Sequence, residues 1–92
     1  MTMLKQIGRC IISINYVIEQ SSAMSDSNVR WMLHNTLNLM QMDLIIMVDE
    51  DKAIPVAYVE ACKMLQRAIY SKRGDALEFA AAAVAELNKV IK

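Results

Sequence analysis

The 92-residue sequence predicts an all-α fold, a small antiparallel four-helix bundle that self-associates. Three observations carry that prediction. Four stretches repeat apolar residues at steps of three and four, the spacing of one helix face. Two Gly and one Pro are too few for a turn-dense β fold or a glycine-rich phosphate loop. Finally, 55% of the residues are apolar, enough for a chain of this size to bury one ordinary core without disulfide or metal staples. The domain reading is a single helical unit over residues 1–92.

Helix 1 is predicted over Met3 to Gln20, where Leu4, Ile7, Ile11, Ile14 and Ile18 form a seam. Strand alternation would instead bury Lys5 and Arg9 with Ile7, the wrong partition. The Ser21 to Ser27 stretch is a polar linker, and Ser25, Asp26 or Ser27 can cap the next helix by accepting a hydrogen bond from a free backbone N–H. Helix 2 follows over about Asn28 to Val48, with Val29, Leu33, Leu37, Met40, Leu44 and Met47 on its core stripe and Met32 and Leu39 beside it.

The acidic run Asp49-Glu50-Asp51 opposes the dipole of helix 2 and is assigned to the N-terminus of helix 3, which Pro55 opens at a first helical position. Helix 3 is predicted over about Pro55 to Ser71, with Tyr58, Cys62, Leu65 and Ile69 facing inward and Ala61 and Ala68 widening the stripe. Gly74 then takes a left-handed C′ position, and Asp75 with Glu78 forms a capping box. Helix 4 is predicted over about Ala76 to Ile91, buried through Leu77, Ala80, Ala81, Val84, Leu87 and Ile91.

Ten basic residues balance ten acidic ones, so the chain lacks the net field with which a protein gathers nucleic acid or an anionic membrane. Cys10 and Cys62 stand far apart inside apolar patterns and read as buried free thiols, which points to a reducing cytoplasm. No signal-peptide pattern is read at the N-terminus, where polar residues return at Ser13 and Asn15. The longest candidate membrane span, Val29 to Val48, is interrupted by Arg30, His34, Asn35, Asn38, Gln41 and Asp43, each costly in hydrocarbon.

Every helix also carries apolar residues off its core stripe. Helix 2 collects Trp31, Asn35, Asn38, Met42, Ile45 and Ile46 on its far face, and helix 4 collects Phe79, Ala83 and Val90. Smaller sets are Ile12 and Tyr16 on helix 1 and Val59 and Tyr70 on helix 3. Stripes holding the only Trp and the only Phe predict a protein contact, with a homodimer the commonest form. The alternative is that Trp31 and Phe79 only cover the ends of a wider core. Asn35 and Asn38 would act as polar register elements within such a contact.

No catalytic constellation can be assembled, so the expected function is a non-enzymatic interaction protein with no cofactor. His34 has no orienting carboxylate and nucleophile in reach. Histidine phosphotransfer domains are also four-helix bundles with one exposed His, but the small residues and Lys-Gly that follow theirs are not matched by His34-Asn35-Thr36-Leu37. A bundle metal site would need Glu three residues before an inward His, and position 31 is Trp. Two other classes remain open. Eight Met, among them Met42 and Met64 off the stripes, suit a carrier with a Met-lined cavity. The basic group Lys63, Arg67, Lys72 and Arg73 suits a nucleic-acid accessory protein, a partner the neutral net charge disfavours.

Overall fold

The computed structural model describes residues 3–91, which form four α-helices and no strand. They are α1 (Met3–Gln20), α2 (Asp26–Asp49), α3 (Val56–Ile69) and α4 (Arg73–Ile91), with a single 3-10 turn at Ser21–Ala23. Each helix packs on its chain neighbours and α4 closes on α1, while α2 and α4 sit across the diagonal. That is the arrangement short connections impose on an antiparallel bundle.

Ile7, Ile14, Val17, Leu33, Met40, Tyr58, Leu65 and Leu87 form the centre of the core. The α3–α4 pairing is the closest in the molecule. Its physical cause is the row of small side chains at the seam: Ala61 and Ala68 on α3, and Ala76, Ala80 and Ala83 on α4, are all buried. All six stripe residues expected of helix 3 are buried.

The phase of α1 differs from the sequence expectation. Its buried line is Ile7, Cys10, Ile14 and Val17, whereas Leu4 is exposed and Ile11 and Ile18 lie at the margin. At about 100° per residue, the core line is turned about 60° from the predicted one. On α2, Leu39 is exposed and Leu44 half-buried, and Thr36 joins the core by donating its hydroxyl to the Met32 carbonyl, 3.2 Å away.

Helix ends account for the other corrections. Ser25 caps α2, its side chain accepting from the Asn28 N–H at 3.2 Å, and Asp26 complements the dipole in the first turn. The acidic run belongs to the exit of α2 rather than to the first turn of α3. There the Lys52 N–H donates to the Met47 carbonyl and the Asp51 N–H to the Val48 carbonyl, a Schellman closure with Asp51 at φ 55°. Pro55 stands just before α3, at the N-cap, because its ψ of 134° is extended. Gly74 lies inside the first turn of α4 without a positive φ, and Asp75 is inside that turn too, so neither the left-handed cap nor the capping box forms. The Ala76 N–H instead donates to the Lys72 carbonyl at 2.7 Å, which starts the helix earlier.

Candidate functional site

An α-helix rises about 1.5 Å per residue, so the 24 residues of α2 extend about 36 Å and nearly match the 40 Å long axis of the molecule. The 14 residues of α3 reach only about 21 Å. The neighbour that covers α2 most is thus much shorter than α2 itself. Core packing occupies one side of α2 through Val29, Leu33, Leu37, Met40 and Met47.

The opposite side is uncovered. Trp31 is 65% exposed, Met42 59%, Ile45 62% and Ile46 51%, with Leu39 flanking them and Asn35 and Asn38 exposed between them. The Asn38 side-chain amide donates to His34 Nδ1 at 3.3 Å along the edge of this face. A helix apolar on both sides is normally buried on both sides, and here one side has only solvent. Val48 and Val56 extend exposed apolar surface around the α2–α3 turn.

Helix 4 does not supply a second such face. Ala83 is fully buried, and Phe79 and Val90 are partly buried against the core, so the expected Phe79 to Val90 contact surface is corrected. The reason is the close approach to α3, which turns the inward side of α4 onto Ala76, Ala80, Ala83 and Leu87, burying Ala83 and half-covering Phe79 and Val90. Ala81 and Ile91, assigned to the core from periodicity, are exposed in exchange. On α1 and α3, Ile12, Tyr16 and Tyr70 are exposed, whereas Val59 is half-buried.

The basic group is also divided by the fold. Lys63 pairs with Glu60 on its own helix at 3.3 Å. Arg73 is spent on structure: its guanidinium donates to Asp26 and to the carbonyls of Ser21 and Met24, which fastens the α1–α2 linker to the start of α4. Arg67 and Lys72 remain exposed. Lys72 lies with Arg30, Tyr70 and Ser71 at the rim of a cleft of about 400 Å³ floored by Val29, Leu33, Ala68 and Ala76, and no methionine lines it.

No family model, curated protein or solved structure matches this chain. Chemistry must therefore be judged from the side chains alone. No cluster of three or more His, Cys, Asp or Glu among the described residues could hold a metal ion, and no helix among them is long and apolar enough to cross a membrane.

One polar cluster was missed from the sequence. Tyr58 is fully buried, and its hydroxyl donates to Asp43 Oδ2 at 3.1 Å, with the Met40 carbonyl at 3.4 Å. Burial, then the Asp43 charge, holds this phenol well above the ordinary tyrosine value. Cys10 and Cys62, both free, belong to the same neighbourhood. Burial pushes each thiol up to about 11, reinforced for Cys10 by Asp43 and for Cys62 by Cys10 and Asp43. Such thiols are protonated and poorly nucleophilic at neutral pH. The signal in the sequence was position: Asp43 follows Met40 by three residues and precedes Met47 by four, at the edge of the core stripe.

Proposed function

We propose that this chain is a non-enzymatic protein–protein interaction module of the cytoplasm, and that its working surface is the outward face of α2. The observation that carries this reading is the exposure of Trp31, Met42, Ile45 and Ile46 in one stripe on a helix whose other side is already core. Contiguous apolar surface of this kind marks a protein contact far more often than single exposed residues do, and Trp is the residue type most enriched at binding hot spots. The free, buried Cys10 and Cys62 support a reducing compartment. The burial that raises both thiols leaves them poorly nucleophilic beside Asp43, which supports a binding role over an enzymatic one.

The test is a photo-crosslinking amino acid placed at Met42 in the chain expressed in its own host, with the same group at Glu78, exposed on α4, as control. The expected result is a discrete adduct from position 42 and none from position 78. No adduct from position 42, or equal labelling from both positions, overturns the reading.

A further inference from the structure

The charges at the two ends of this face say what covers it. At about 100° per residue, Trp31, Asn38, Met42, Ile45 and Asp49 fall within about 40° of a single line along α2. Asp49 is the last residue of the helix, and Glu50 and Asp51 follow it, so acid gathers where the helix dipole is already negative. Glu50 is answered by Lys52 at 2.6 Å, but Asp49 has no ion-pair partner among the described residues. Near the other end Arg30, about 100° round the helix from Trp31 and so at the flank of this face beside the cleft, is exposed and also has no ion-pair partner among the described residues. Within one copy these two charges are 19 residues apart, about 28 Å along the axis, and cannot meet.

Resting on the reading above, we infer that the occupant of the α2 face is a second copy of this chain, packed antiparallel about a two-fold axis near Asn38. Position 31 of one copy then stands opposite positions 45 and 46 of the other, so each Trp31 covers the Ile45–Ile46 pair of its partner. Asn35 faces Met42, and the two Asn38 side chains meet close to the axis, where a polar residue fixes register. Arg30 of each copy comes within one helical turn of the other copy's Asp49, inside the reach of an arginine side chain. The contact is self-complementary, as a two-fold interface must be, because the basic and acidic ends lie at similar distances from the axis. A parallel pair would place the unsatisfied acidic ends together, where like charges repel. Zero net charge leaves little long-range repulsion between copies.

Light scattering across a dilution series tests this on the full chain. The expected native mass is twice 10.4 kDa at tens of micromolar, with Trp31→Asp raising the dissociation constant by at least about 30-fold. Arg30→Asp and Asp49→Arg should each weaken the dimer by about 10-fold, since each homodimer then carries two repulsive contacts. An equimolar mixture of these two variants should dimerise as the parent does, because every contact across that heterodimer is attractive. All three positions are exposed, so unchanged circular dichroism is the expected control. A monomeric parent, a dimer indifferent to Trp31→Asp, or a mixture no tighter than the single variants overturns the inference. A monomeric parent whose position-42 adduct is another protein overturns the dimer alone, whereas absence of any adduct removes the interaction reading with it.

Discussion

Asp51 is the residue whose backbone is least at ease. Its φ of 55° lies in the left-handed region that glycine enters freely and a residue with a Cβ enters at a cost of about 1 kcal/mol. The Schellman closure of α2 requires a left-handed residue at that point, and aspartate is better tolerated there than most. Asp51→Gly should therefore raise stability by about 0.5–1 kcal/mol in urea unfolding, the larger freedom of Gly in the unfolded chain offsetting part of the gain. Asp51→Ala, which removes the charge but keeps the conformation, should gain less. That pair of variants separates backbone strain from relief of the charge facing the helix dipole. From sequence Asp51 goes to the next helix because acid at the end of helix 2 opposes that helix's dipole, and nothing in residue type alone marks a closure made without glycine.

At the scale of elements, Arg73 joins what the chain separates. Its guanidinium reaches across 47 residues to Asp26 and also satisfies two linker carbonyls, a fork a single ammonium cannot reproduce. Arg73→Ala should cost on the order of 2 kcal/mol and speed amide exchange at Met24 and Val29, whose N–H groups close the linker; Arg73→Lys should recover only part of the loss. The existence and order of the helices were legible in spacing, and the inward stripe of α3 most fully, because its polar positions Glu60, Lys63, Gln66 and Arg67 gather on the side opposite its core residues, whereas the stripes of α1 and α4 were read out of phase. The outward face of α2 was legible too, since a helix carrying two apolar stripes is conspicuous. The corresponding face of α4 was misjudged because alanine reads as neutral in periodicity, and only the approach of α3 decides whether Ala83 is core or surface. The Arg73 clamp was beyond reach for a related reason: a long-range ion pair leaves no local pattern.

For the molecule as a whole, the buried thiols set a limit on alkaline stability. Cys10 and Cys62 keep their protons up to about pH 11 when folded, against an ordinary value of 9.0. Between those values the unfolded chain holds fewer protons than the folded one, so stability is full below about pH 9 and declines as pH rises. The loss should reach on the order of 2 kcal/mol per thiol near pH 11, with the Tyr58 hydroxyl, also held protonated, adding to it above its ordinary value of 10.0. Urea midpoints measured from pH 8 to pH 11 should show this fall, and a Cys10→Ala, Cys62→Ala double variant should show a shallower one.

The alanine-lined pairing of α3 and α4 has a consequence for how the chain reaches this state. The two helices are joined by a three-residue turn, Tyr70 to Lys72, so the closest packing in the molecule is also among the cheapest to bring together in loop entropy. The α1 seam, by contrast, finds its α4 cover only after more than 50 intervening residues. On a growing polypeptide, made from its N-terminus, α1 and α2 are complete while the surface that shelters α1 has yet to be synthesised. On its emergence α4 thus nucleates with α3 and then shields α1, which concentrates the hazard of premature association in the interval before it arrives.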